Sequence, residues 1–335
     1  MIRSAELRQD QFQFITSYPS MTSVIDETLW GPLEDFLSSP GKNVRPRLVE
    51  IGYLLSCTGV AEESATLREA LLKASEIVES VHAGALIIDD IQDGSLVRRN
   101  RDSMHVKYGV PLALNAGNWL YFWAIDRIKA LGLSSEVRLA LMEDCVQLLL
   151  EAHYGQALDI GTSLAELSQA EIAPICRSSM ELKTSTLMAL ALRLGSAIAG
   201  KKELDPKLLD LGRQLGFVLQ VYDDIGNFLL PSTTAPTKRW EDLRLRRPSW
   251  VWTQVSLLAS AEEFSQFTAA LDALPDEQKI HSFAASFCLK EKLLKSAKLE
   301  VVKLEELCHK NWSISHKETE DKIISIAHQL EKAYV

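Results

Sequence analysis

Two runs of acidic side chains, Asp89-Asp90-Ile91-Gln92-Asp93 and Asp223-Asp224-Ile225-Gly226-Asn227, are set into apolar stretches whose spacing is helical. At about 100° per residue, Asp89 and Asp93 share one helix face, and Asp223, Asp224 and Asn227 share another. Carboxylates grouped this densely repel one another and resist burial unless something positive lies between them. Hard divalent cations with oxygen ligands meet that need, Mg²⁺ above all, and Mg²⁺ usually completes its shell with phosphate oxygens of a substrate. The two runs read as a metal-bridged diphosphate site.

Apolar residues recur at intervals of three and four from about Thr22 to His328, while alternation with period two is scarce, which predicts an all-α chain. Breaks are expected at Ser39-Pro40-Gly41, Gly94 to Asn100, Gly109-Val110-Pro111, Gly132 to Ser134, Gly200 to Pro206 and Pro231 to Thr237. They leave roughly ten helices, several long enough to cross a domain. With 335 residues, 47% of them hydrophobic, the core is ample, and the patterning predicts one domain over 1–335. The stretch 260–335 is richer in Lys and Glu and reads as solvated amphipathic helices that pack on or cap the bundle.

A net charge of -9 gives a nucleic-acid partner no general electrostatic support, so any phosphate binding must be local. The five cysteines, Cys57, Cys145, Cys176, Cys288 and Cys308, are scattered and odd in number, as expected of a reduced cytoplasmic protein. Met1 to Glu6 lacks the apolar core of a secretion signal, and the longest apolar stretch, Leu187 to Ala199, is interrupted by Arg193. Neither a secretion signal nor a membrane span is expected.

His82 precedes Asp89 by seven residues and Asp93 by eleven, so on an ideal helix all three point within roughly 20° of one direction. The following segment supplies Arg98, Arg99 and Arg101, whose guanidinium groups suit bidentate phosphate contacts. Three aspartates directly after the apolar run Ala83 to Ile88 would be costly if left unneutralised.

These residues carry a resemblance: the chain is similar to trans-isoprenyl diphosphate synthases, above all to geranylgeranyl diphosphate synthases. The match covers about residues 38 to 250, through Pro40-Gly41-Lys42-Asn43-Val44-Arg45-Pro46, His82 to Arg99, Gly155-Gln156-Ala157-Leu158-Asp159, Lys183-Thr184 and Gln220 to Asn227. The resemblance implies the isoprenoid synthase fold, a helical bundle around a central cavity, in a homodimer. It implies that Asp89, Asp93 and Asp223 ligate three Mg²⁺ ions, with Asp90 and Asp224 acting through water or supporting that shell. It assigns Lys183, Lys238 and Arg98 to an allylic diphosphate, and Lys42, Arg45, His82 and Arg99 to isopentenyl diphosphate. Gln220 and Gln156 match polar residues beside the reacting centre.

The chemistry so implied is ionisation of the allylic diphosphate, attack by the isopentenyl double bond and loss of a proton, with stabilisation of departing pyrophosphate as the main demand. In the family picture the product grows away from the metal site, past the residues one or two turns before Asp89. Here these are Val81, Gly84 and Ala85, none of them large. Tyr121, Phe122 and His153 match bulky positions that would floor the channel, and the expected product is C20.

Two departures from the family pattern stand out. Asn227 occupies the last acidic position of the second cluster, and an uncharged carbonyl should bind Mg²⁺ more weakly. Arg246-Arg247 replaces the usual Gly-Lys, so that Arg247 becomes the candidate diphosphate cation. A terpene cyclase is therefore a second reading, with Trp119, Trp123, Trp240 and Trp250 as ring faces for a carbocation. Against it, Asn227 and Pro231 stand where ordinary cyclases carry Ser/Thr and Glu. A non-catalytic partner subunit is a third reading, opposed by the intact first cluster.

Overall fold

The computed structural model describes residues 19–39, 44–57, 64–229, 240–312 and 316–334. Lys42 and Lys238, the expected break at Pro231 to Thr237, and Pro40-Gly41 of the expected break after Ser39 lie outside them. The chain forms helices α1 (Pro19–Ile25), α2 (Gly31–Leu37), α3 (Val44–Ser56), α4 (Ala65–Asp93), α5 (Met104–Tyr108), α6 (Val110–Arg127), α7 (Ser135–Gly161), α8 (Gln169–Met180) and α9 (Thr186–Ile198). It continues through α10 (Pro206–Leu229), α11 (Glu241–Arg244), α12 (Trp250–Leu258), α13 (Ala261–Asp272), α14 (Gln278–Ser286), α15 (Leu289–Asn311) and α16 (Lys317–Tyr334).

The all-α expectation holds with one local exception. The segment after Gly94 folds into a small antiparallel hairpin, β1 (Val97–Arg98) paired with β2 (Arg101–Asp102). Its turn residues, Arg99 and Asn100, have φ of 52° and 61°, the left-handed pair that a two-residue hairpin loop requires. Period-two alternation over two residues is too short to be seen in a sequence. Helix α4 starts at Ser64, whose hydroxyl accepts from the Leu67 amide at 3.0 Å, and stops at Gly94, which takes the left-handed C-cap conformation.

The described residues fall into two compact units. The first comprises residues up to Glu143 together with Leu194–Glu203. In it α4 lies directly on α6: a Cβ at Gly84 would sit 2.8 Å from the Gly117 carbonyl oxygen. Ala83, Ile87, Leu120 and Trp123 fill the seam, closed by Leu29, Trp30 and Leu33. Gly195 makes an even closer approach, since a Cβ there would stand 1.9 Å from the Val49 oxygen on α3.

The second unit comprises Asp144–Arg193 and Leu204–Val335. Between α8 and α9 the chain widens into a π-helical turn, Glu181–Ser185. Helix α10 packs on it through Gly216 and on α9 through Gly212, where added Cβ atoms would lie 2.5 Å from the Cα atoms of Ser185 and Ala189. The lone cation of the long apolar run, Arg193, is fully buried and donates from Nε to Asp144 Oδ2 at 2.6 Å, which settles a charge that would otherwise break the run. The Lys- and Glu-rich C-terminal helices bury one apolar face, including Leu289, Leu293, Ala297 and Leu304 on α15. Gln214 on α10 donates to the Glu300 carbonyl of α15 at 3.0 Å. Among the described residues, no helix is long and apolar enough to cross a membrane.

Because the neighbour of Gly195 is backbone and cannot rotate away, Gly195→Ala should lower the unfolding free energy by about 2 kcal/mol, in the range of overpacked cores. A urea denaturation midpoint unchanged from wild type would show that α3 and α9 are not held this closely.

Candidate functional site

In the first unit, the acidic run ends α4, so Asp90 and Asp93 lie in the last turn, where exposed carbonyls already make the helix end negative. Positive partners are correspondingly needed. Asp90 is fully buried, and both its oxygens accept from Arg98 Nε, at 2.9 and 3.1 Å, with Arg98 Nη2 adding a further bond. Asp89 and Asp93, one turn apart, remain partly exposed, with the Arg98 guanidinium 3.9 Å from Asp89. The inner carboxylate thus has both oxygens engaged by Arg98, while the outer two lie partly exposed on one face of the helix.

His82, two turns before Asp89, stands among Arg45, Arg98 and Arg99. Burial first, and then these three cations, push its pKa well below the usual 6.5, so its ring is neutral at pH 7. Arg45 itself faces Glu79 at 3.8 Å. A cavity beside this group is lined in part by Arg98, Arg99 and Arg101. Arg45, Arg98 and Arg99 with the neutral His82 ring form a concentrated donor surface for a phosphate-bearing ligand.

In the second unit a single face of α10 carries Gly212, Gly216, Gln220 and Asp224 at steps of four. The two glycines bring the helix against the π-helical turn, and Gln220, one turn later, accepts from Thr184 Oγ1 at 2.6 Å. Gln220 Nε2 donates to Asp224 Oδ1 at 2.7 Å, and the Trp250 amide donates to Asp224 Oδ2 at 2.6 Å. Asp224 repeats the behaviour of Asp90: buried, with both oxygens engaged. Burial and the nearby Asp242 still raise its pKa well above the usual value.

Asp223, beside it on α10, is partly exposed. Lys183 projects from the π-helical turn and donates to Asp159 Oδ2 at 2.6 Å. The contact depends on Gly155, one turn before Asp159 on α7, because a Cβ at Gly155 would lie 2.3 Å from the Lys183 amide nitrogen. Burial, Asp159 and Asp223 push the Asp242 carboxyl up to about 7, while Lys183 pulls it down. Asp159 and Asp242 were absent from the sequence candidates. No spacing links Asp159 to Asp242, 83 positions later, and only the folded unit joins them.

The remaining candidates are placed unevenly. Tyr121 lies on α6 beside Gly84, its ring carbon 3.5 Å from where a Gly84 Cβ would be. Phe122 is 74% exposed, and His153 is exposed with Nδ1 2.8 Å from the Leu149 carbonyl. Neither belongs to the buried core of its own unit. Gln156 is partly buried on α7, and Asn227 follows Asp223 by one turn on α10. Arg246 has φ 55°, a conformation that glycine takes without strain; its side chain pairs with Asp272 and lies over the Trp252 ring at 5.9 Å. Arg247 is partly buried, with its amide bonded to the Asp242 carbonyl at 2.8 Å.

The donor set fits Mg²⁺ as a substrate-completed ion. Among the described residues no three His, Cys, Asp or Glu side chains converge to cage a metal. Mg²⁺ seldom needs such a cage, taking one or two carboxylates and filling its octahedron with water and phosphate oxygen. Asp89 and Asp93, one turn apart on α4, and separately Asp223 on α10, are partly exposed carboxylates of the type such an ion takes.

Residues 26–286 match the polyprenyl synthetase family model. A short chain isoprenyl diphosphate synthase of Methanocaldococcus jannaschii is 30% identical over 60% of this chain and 58% of its own length. A terpene synthase of Matsumurasca onukii is 30% identical over 65% of this chain and 66% of its own. The matched segment thus spans less than two thirds of these relatives. The structure of a geranylgeranyl pyrophosphate synthase from Corynebacterium glutamicum, complexed with isoprenyl diphosphate and magnesium, superposes with a TM-score of 0.74 at 21% identity, covering 94% of this chain and 92% of that one. The isoprenoid synthase fold expected from the sequence is thereby established.

The lowered pKa of His82 has a definite sign for stability. Below the unfolded value of 6.5 the unfolded chain binds a proton that the native ring refuses, so stability is complete above 6.5 and falls as pH drops through it. His82→Asn should flatten the dependence of the urea midpoint on pH between about 7 and 5. An unchanged slope would show that the native ring takes up its proton over the same pH range as the unfolded chain.

Proposed function

Because the chain belongs to the polyprenyl synthetase family, we propose that it is a trans-prenyltransferase, condensing an allylic diphosphate with isopentenyl diphosphate. The observation that carries the reading is the grouping of Asp89 and Asp93 on one helix face with a neutral His82 flanked by Arg45, Arg98 and Arg99. A metal-bound diphosphate and a second, metal-free one ask for these two kinds of surface.

In this reading Asp89, Asp93 and Asp223 would hold Mg²⁺, three ions by family resemblance. When bound, the metal supplies charge stabilisation to pyrophosphate as the carbon to oxygen bond breaks. Asp90 and Asp224 hold their neighbours in place. Arg98 and Lys183, with Lys238, meet the charge that develops on the allylic diphosphate. Arg45, Arg99 and Lys42 grip the isopentenyl diphosphate, and the neutral His82 ring adds a hydrogen bond without drawing the proton balance toward itself. Gln220 and Gln156 set a polar edge beside the reacting carbons, and Arg247 takes the role of the family lysine. No protein nucleophile is required. The proposed product is C20, with Tyr121 beside Gly84 as the floor of the chain's channel. A homodimer fits the exposed apolar residues Val110, Leu114 and Phe122 along α6.

A cyclase reading draws support from the relative named terpene synthase. The tryptophans proposed for it argue otherwise: Trp123, Trp240 and Trp250 are buried, Trp240 donating to the Phe228 carbonyl at 3.0 Å and Trp250 to Ser296 Oγ at 3.1 Å. They are occupied as core.

With Mg²⁺, farnesyl diphosphate and isopentenyl diphosphate, the purified protein should form a longer diphosphate only when isopentenyl diphosphate is present. Hydrocarbon formed without it would establish the cyclase instead. Asp89→Ala should reduce turnover by about two powers of ten or more, and normal turnover would remove the metal assignment. Tyr121→Ala should shift the dephosphorylated products toward longer chains on chromatography; an unchanged pattern would place the floor elsewhere.

A further inference from the structure

Asp35 on α2 has no part in the reaction just described, yet three side chains converge on its carboxylate. Arg101 of β2 donates to Oδ1, and Lys107 Nζ and Tyr108 Oη of α5 donate to Oδ2 at 2.8 and 3.0 Å. Arg101 Nη1 also reaches the Asp35 carbonyl at 3.0 Å and the Ser38 hydroxyl at 2.8 Å. The end of α2 is thereby tied at once to the hairpin and to the helix that follows it. Beside this junction Arg99 Nη1 donates to the Ser39 carbonyl at 2.7 Å. The same cavity is lined by Asp35, Ser39, Arg98, Arg99, Arg101 and Tyr108, and encloses about 360 Å³ including space open to solvent.

We infer that Asp35 is the positioning residue for Arg99, setting the guanidinium that receives isopentenyl diphosphate. The inference rests on the function proposed above. Strands of two residues do not hold a hairpin by themselves. Arg99 moreover sits in the left-handed region, which an arginine adopts only when its surroundings hold it there. Arg98, Arg99, Arg101 and Lys107 repel one another, and Asp35 is the anion on which Arg101 and Lys107 both close. It sets the register of the turn, and it keeps two nearby cations from competing with Arg99 for the substrate's phosphates.

Steady-state kinetics of the full chain with Mg²⁺ and both diphosphates test this. Asp35→Asn retains the shape but loses the charge, and should raise KM for isopentenyl diphosphate on the order of tenfold while kcat and the allylic KM stay near wild type. Asp35→Glu should restore part of the lost affinity. Adding Arg101→Gln to Asp35→Asn should bring little further loss, because both changes cut one link. A wild-type KM in Asp35→Asn, or equal loss for both substrates, overturns the inference while leaving the prenyltransferase reading intact. A melting temperature lowered together with kcat would show a merely structural residue, and likewise overturns it. If wild-type protein consumes no isopentenyl diphosphate, the functional reading fails and this inference falls with it.

Discussion

Burying a carboxylate costs several kcal/mol unless it is fully hydrogen-bonded, and this constraint organises both acidic helices. Each resolves it in the same way. Asp90 takes a fork from Arg98, and Asp224 takes an amide from Trp250 and a side-chain amide from Gln220. Once the inner carboxylate is satisfied by protein, the neighbouring aspartates on the same turn are turned outward, where an ion can reach them. The inner aspartate therefore ties its helix to its neighbours, and Asp89, Asp93 and Asp223 stay partly exposed beside it.

Satisfying these groups requires helices to come closer than ordinary side chains permit, and glycine makes that possible. Gly212 and Gly216 press α10 onto the segment that carries Thr184, so that Gln220 and then Asp224 meet their partners at the next two turns. Gly155 does the same for Asp159 and Lys183. In the first unit Gly84 and Gly117 lay α4 on α6 and place Tyr121 beside the residues one turn before the aspartates. A row of small residues and a row of polar ones on a single helix face are thus one device, the first part setting the distance at which the second works.

The departures from the family pattern acquire physical meaning in the folded chain. Arg246 occupies a left-handed backbone position that glycine would take without strain, and an ion pair to Asp272 with stacking on Trp252 offsets the cost. Arg247, one residue on, is tied through its backbone to Asp242, itself partly buried in the field of Asp159 and Asp223. Asp159 and Asp223 raise the Asp242 carboxyl while Lys183 lowers it, so these carboxylates share the field of one lysine.

Helical periodicity, the glycine breaks at 94, 109, 132 and 200, and the two aspartate runs are properties of local spacing, and so they were legible in the sequence together with His82, Arg98 and Arg99. The hairpin at Val97 to Asp102 was not, because two residues per strand show no alternation. Nor were the roles of Asp35, Asp159 and Asp242, which depend on partners 24 to 83 positions away or on close helix approach. Phe122 and Tyr121 are adjacent in the chain and alike in type, yet one is exposed and the other lies beside Gly84. Sequence by itself determined which residues are helical and where charge accumulates. Tertiary structure decided which aspartates are buried with both oxygens engaged, as Asp90 and Asp224 are, and which stay partly exposed, because only packing brings distant donors such as Arg98 and the Trp250 amide onto a carboxylate.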